Sequence, residues 1–124
     1  MAVSAKNEYY KIWQSFLEGK YNLCISNGII EEYLEVISKN IHPKFAEMIV
    51  YAILSSQNVI RVDPTFAFML ITADLDDNKF VDCAIASNAH YIVTEDKHFN
   101  VLKHISFPKV SVIGIDDFLK QLSE

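Results

Sequence analysis

The chain has 124 residues, 51% of them hydrophobic, enough for one compact domain with a real core. Its net charge of −5, from 11 basic and 16 acidic residues, excludes a protein that holds nucleic acid mainly by bulk electrostatics. The start Met-Ala-Val-Ser-Ala-Lys lacks a secretory apolar run, no apolar stretch is long enough to span a bilayer, and Cys24 and Cys83 occupy apolar-patterned positions suited to buried reduced thiols, so the chain reads as cytoplasmic with no membrane contact.

Residues 7–18 are predicted to be helical, with Tyr10, Trp13 and Phe16–Leu17 on one face and Gly19 as the stop. Tyr21–Ile25 reads as a short strand. Ser26 is a good N-cap for a helix to about Lys39, whose apolar arc is Ile29, Ile30, Tyr33, Leu34 and Ile37. Pro43 suits the first turn of a second helix to about Ser55, with Phe45, Ile49, Ala52 and Ile53 inward. Residues 58–62 read as strand, whereas 65–72 are apolar without a clean period. Asp74–Asn78 is a polar turn opening a helix over 78–89. Tyr91–Thr94 is a buried strand ending at Glu95-Asp96, followed by a short helix over 97–103. Val110–Ile115, which includes Gly114, is a last strand, and 116–122 a terminal helix capped by Asp116. Strands separated by helices imply an α/β fold with a parallel sheet covered on both faces. In such sheets, sites lie at the carboxyl ends of the strands.

Acidic residues supply the candidate site. Asp96 directly follows a strand, where it is either a functional carboxylate or the N-cap of the next helix. Asp77 shares a helical face with Phe80, Val81, Ala84 and Ile85 and so extends a buried stripe toward the sheet end; the plain alternative is again a cap. Asp82 points the opposite way and reads as a solvated surface residue. Asp74 and Asp76 flank Asp77, and three carboxylates within four residues repel one another. A hard cation would relieve that repulsion, and so would ordinary hydration of an acidic turn. Of Glu31, Glu32 and Glu35, Glu32 borders the apolar arc beside Val36 and is best placed to reach a sheet edge, while Glu35 falls at the centre of the polar face. No Gly-rich phosphate loop and no zinc-spaced Cys/His pair is present; His42, His90, His98 and His104 are scattered, and neither Ser26 nor Ser87 has a base in sequence context.

The stretch from Asp74 to Phe99 carries an Asp-Asn-Lys-Phe helix start, an Ala-rich helix and a Val-Thr-x-Asp strand end. It is similar to the C-terminal half of PIN-domain nucleases and resembles the branch labelled as toxin components of toxin–antitoxin systems. Ser26-Asn-Gly-Ile-Ile-Glu-Glu-Tyr resembles the segment in which that family carries a glutamate. The resemblance covers nearly the whole chain and implies a three-layer α/β/α sandwich that cleaves RNA with Mg²⁺ or Mn²⁺. It implies a catalytic, metal-holding set of Glu32, Asp77 and Asp96, with Asp74 as a further ligand. Lys97, His98, Lys103 and His104 would touch the RNA backbone, and an antitoxin protein would be the partner. The ion would orient a water, lower its pKa and stabilise charge on the phosphate.

Members of that family open with an apolar strand ending in Asp-Thr-Asn, whose aspartate is the first metal ligand; in this sequence no Asp precedes Asp63. The expectation is therefore a single PIN-like domain lacking its first strand, with an acidic site one ligand short and weak cleavage. Neighbouring strands should expose unpaired edges, favouring a homo-oligomer. The alternative is a non-catalytic interaction domain that binds an antitoxin-like partner or RNA. A phosphatase-like or nucleotide-binding α/β domain would need a phosphate-cradling loop or an early strand-end Asp, and neither occurs.

Overall fold

The computed structural model describes residues 2–123, and side chains from Tyr10 onward. Elements alternate as α1 (Ala2–Leu17), β1 (Leu23–Ile25), α2 (Asn27–Asn40), α3 (Pro43–Ser55), β2 (Val59–Arg61), α4 (Asn78–Ser87), β3 (Ile92–Val93), β4 (Val112–Ile113) and α5 (Ile115–Leu122). Two 3₁₀ segments, Leu75–Asp77 and Lys97–His104, precede α4 and follow β3. No helix among the described residues is long and apolar enough to cross a membrane.

The fold is α/β and its strands are parallel. β1 pairs with β2, Leu23 opposite Val59 and Ile25 opposite Arg61. β3 pairs with β4, Ile92 opposite Val112. Among the described residues the two pairs are not hydrogen-bonded to each other, so the expected sheet is divided into two short ribbons. α4 packs against both β1 and β3 and links the halves. Phe80 on α4 packs into both apolar cores, one built on Ile71, Val81, Phe99 and Leu102, the other on Phe16, Ile25, Ile29, Ile53 and Cys83. In a parallel ladder, alternate residues bond to one side. Leu23 N–H donates to Asn58 and Ile25 C=O accepts from Val62. The N–H and C=O of Cys24 therefore face the other edge of β1, which has no strand partner among the described residues.

Local signals explain most helix ends. Ser26 accepts from Ile29 N–H at 3.3 Å and caps α2. Pro43 opens α3, and Gly19 at φ +74° supplies the left-handed residue after α1. Burial departs from the periodic reading in three places. α3 turns Ala46, Val50 and Ile53 inward and leaves Phe45 42% exposed. The helix packs as a hairpin against α2, and fully buried Ala46 permits a close approach that Phe45 would prevent. α1 buries Phe16 in the core with Ile25 and Ile29 but exposes Tyr10 and Leu17. Cys83 is buried, whereas Cys24 on the free edge of β1 is half-buried. α1 also begins at Ala2 rather than at residue 7, and each strand is shorter than its apolar run.

The last element corrects a capping assignment. Gly114 is not in the strand but caps α5, and Asp116 lies inside the first turn. The free Ile115 N–H is satisfied across space by Glu95 Oε1 at 2.9 Å. A Cβ on Gly114 would lie 3.3 Å from that oxygen. We expect Glu95→Ala to cost about 1 kcal/mol, as for other lost helix caps, read as a lowered midpoint of thermal unfolding.

Burial pushes the Tyr33 and Tyr21 phenols from 10.0 up to about 12, and Tyr21 also donates to Ile12 C=O at 3.0 Å. Burial likewise pushes the Cys83 thiol up to about 11. These folded-state values exceed the unfolded ones, so the native chain keeps its protons longer. The stabilisation is complete below the unfolded values and is lost as pH rises through the folded ones. Alkaline unfolding should therefore develop from about pH 9, for the thiol, to about pH 12, for the phenols, each tyrosine contributing roughly 2 kcal/mol. Tyr33→Phe should flatten that decline in urea midpoints measured across this window; an unchanged slope would remove Tyr33 as a cause.

Candidate metal centre

The site forms where the turn before α4 meets the end of β3. Asp74 caps the 3₁₀ turn, its Oδ1 accepting from Asp76 N–H at 3.1 Å. Asp77 follows in αR geometry and makes no side-chain cap bond. The plain cap reading thus fails for Asp77, whose carboxylate is left for other partners. Its side chain is 15% exposed. Burial raises its pKa, the His98 hydrogen bond lowers it, and the Asp74 and Asp96 charges raise it further; the balance is upward.

Asn78 fixes this turn. Its buried side chain accepts Ile71 N–H at 2.9 Å through Oδ1 and donates through Nδ2 to Ile71 C=O at 2.8 Å and Leu75 C=O at 3.3 Å. The amide acts as a substitute backbone, tying the irregular 65–72 segment to the start of α4. Asp82 does similar work nearby. It is half-buried rather than solvated, and Oδ1 accepts from Phe68 N–H at 3.2 Å.

Asp96 is both strand-end residue and cap. Its Oδ1 accepts from His98 N–H at 2.9 Å, which folds the chain back over two residues. That turn brings His98 Nδ1 to 3.4 Å from Asp96 Oδ1 and 3.3 Å from Asp77 Oδ2. One donor atom from each of Asp74, Asp77 and His98 lies within 4.8 Å of the others. Phe80 and Phe99 hold the two segments together by an edge-to-face contact with ring centres 6.5 Å apart.

Glu32 is not one of these mutually close donors. Its Oε1 pairs with Lys79 Nζ at 2.8 Å, and the same carboxylate raises the lysine pKa. Of the acidic turn, Lys79 feels the Asp76 charge, so Glu32 meets that turn only through a lysine. Lys97, Lys103 and His104 are exposed on the 3₁₀ segment after Asp96. A cleft of about 400 Å³ opens beyond the carboxyl ends of β1 and β2, lined by Ser26, Asp63, Phe66, Lys79 and Asp82. Sequence reasoning missed Asn78 and Lys79, whose partners are supplied by folding. The role of His98 was legible in principle, since a capping Asp draws the residue two places on toward itself.

Two carboxylates, Asp74 and Asp77, and the His98 imidazole lie close enough to form a donor set fitted to a divalent cation, with Asp96 next to them through His98 at 3.4 Å. No curated protein and no solved structure matches the chain. The family model described as PIN domain matches residues 1–98, four-fifths of the sequence and all four site residues. The chain therefore belongs to the PIN domain family, whose nuclease-type domains depend on divalent metal ions.

Proposed function

We propose that this domain is a metal-dependent ribonuclease that hydrolyses phosphodiester bonds. The observation that carries the reading is the closeness of Asp74, Asp77 and His98, with Asp96 3.4 Å from the His98 ring. The carboxylates hold the ion, Mg²⁺ or Mn²⁺, which when bound activates a water and offsets charge building on the phosphate. One of these carboxylates would also accept a proton from the attacking water. Glu32, paired with Lys79 at 2.8 Å, would be a further holder of the ion only if that pair opened. Lys97 and Lys103, exposed on the segment that follows Asp96, would meet the RNA backbone. The test is cleavage of a generic single-stranded RNA in Mn²⁺ by the chain, Asp77→Asn and Asp96→Asn. Equal rates for all three remove the assigned roles.

The exposed stripe Phe45, Met48, Tyr51 and Leu54 on α3 favours a second reading, a non-catalytic domain that binds an antitoxin-like protein in the cytoplasm. Binding to RNA or protein without metal-dependent cleavage would support it. The free edge of β1 further favours a homo-oligomer. A monodisperse monomer with well-protected strand amides would count against that assembly.

A further inference from the structure

We propose that His98 is a metal ligand rather than an RNA contact, and that its imidazole makes the centre select a first-row transition-metal dication over Mg²⁺. This rests on the metal-dependent reading above. One edge of the ring faces the carboxylates: Nδ1 stands 3.3 Å from Asp77 Oδ2 and 3.4 Å from Asp96 Oδ1. That nitrogen is therefore taken up by carboxylates and not offered to a phosphate. Its backbone is fixed as well, because His98 N–H donates to Asp96 Oδ1 at 2.9 Å. The ring is thus pre-positioned by a residue of the same cluster. A ring nitrogen of His98 and one oxygen each of Asp74 and Asp77 lie within 4.8 Å of one another. Ligands around an ion at about 2.1 Å stand roughly 3 Å apart when adjacent and 4 Å when opposite. Closing the cluster onto an ion therefore needs only small side-chain movements.

The chemistry of the donor decides selectivity. Mg²⁺ is hard, keeps several waters and is held by oxygens. An imidazole nitrogen adds affinity for transition-metal ions that Mg²⁺ does not share. Without an ion, Nδ1 of the same ring lies within reach of both Asp77 and Asp96.

The experiment titrates Mn²⁺ and Mg²⁺ separately into the whole chain, His98→Ala, His98→Gln and Asp77→Asn. Mn²⁺ binding is followed by electron paramagnetic resonance and calorimetry. Mn²⁺ sits at the weak end of the transition series, so selectivity seen with it is a stringent result. Expected is a Mn²⁺ affinity that falls about tenfold or more in both His98 variants, with little change for Mg²⁺. Electron spin echo should show directly bound nitrogen in the wild type and none in the variants. Unchanged or tighter Mn²⁺ binding by His98→Ala, with no nitrogen coupling in the wild type, overturns the proposal. If Asp77→Asn alone loses Mn²⁺ in that case, the metal-centre reading survives and only the role of His98 falls. If Asp77→Asn binds Mn²⁺ like the wild type, both fall. His98 is 46% exposed and outside both cores, so loss of folding does not obscure the comparison.

Discussion

Asp77→Asn is expected to make the ion-free protein more stable while removing its response to Mn²⁺. The Asp77 carboxyl is held above 3.8 by burial and by the Asp74 and Asp96 charges, despite the hydrogen bond to His98. A folded-state pKa above the unfolded one means that ionising Asp77 costs the native state more than the unfolded chain. Its contribution is present at low pH and is lost as pH rises through the folded value. Asparagine keeps the shape and a hydrogen-bonding group without the charge, so its melting temperature without metal should exceed that of the wild type at neutral pH. The difference should vanish on acidification. With Mn²⁺ at a hundred times its dissociation constant, the wild type should gain about 2.7 kcal/mol. Asp77→Asn, short of one charged ligand, should gain less than about 1 kcal/mol at the same Mn²⁺ concentration. Thermal melts with and without Mn²⁺ measure both effects. A variant that is less stable without metal and equally stabilised by it would contradict the site as drawn.

Asn78→Ala carries the largest expected loss of stability. Ile71 is fully buried, and its N–H and C=O both bond to the Asn78 amide. Alanine deletes those bonds and leaves two backbone groups in an apolar core. An unsatisfied buried group costs about 1–3 kcal/mol, so the total should be roughly 3 kcal/mol. For a domain of this size that is a fall in melting temperature on the order of 10 °C. Asn78→Asp should fall in between, because it keeps the acceptor for Ile71 N–H and loses the donor to Ile71 C=O. The damage should reach the metal centre, since Asn78 also holds Leu75 C=O in the turn that presents Asp74 and Asp77. We therefore expect weaker Mn²⁺ binding at temperatures where the variant is still folded. Calorimetry at 10 °C separates that effect from unfolding; wild-type stability in Asn78→Ala would show that the segment before α4 is held by apolar packing alone.

Lys79 shows how a sequence reading can identify a residue yet miss its state. Glu32 borders the apolar arc of α2, as the helical period requires, but periodicity gives no information on the lysine two residues after Asp77. That lysine reaches Glu32 at 2.8 Å only because α2 and α4 pack together. The same holds for Glu95, whose place after a strand was legible but whose bond to Ile115 N–H depends on β3 pairing with β4.

By itself the sequence determined what local chemistry controls. Ser26, Pro43 and Gly19 mark helix ends because capping, fixed φ and left-handed backbone are properties of single residues and their near neighbours. Alternation of helices with apolar runs determined the parallel α/β character, since parallel strands need crossovers. The acidic turn and the strand-end Asp96 were legible for the same reason. Only the tertiary structure decided which face of α3 is buried, that the strands form two separate parallel pairs, and that His98 rather than Glu32 completes the close donor set. Each of these depends on distances between segments far apart in the chain, and those distances are set by how side-chain volumes fit when helices and strands pack, which no local pattern encodes.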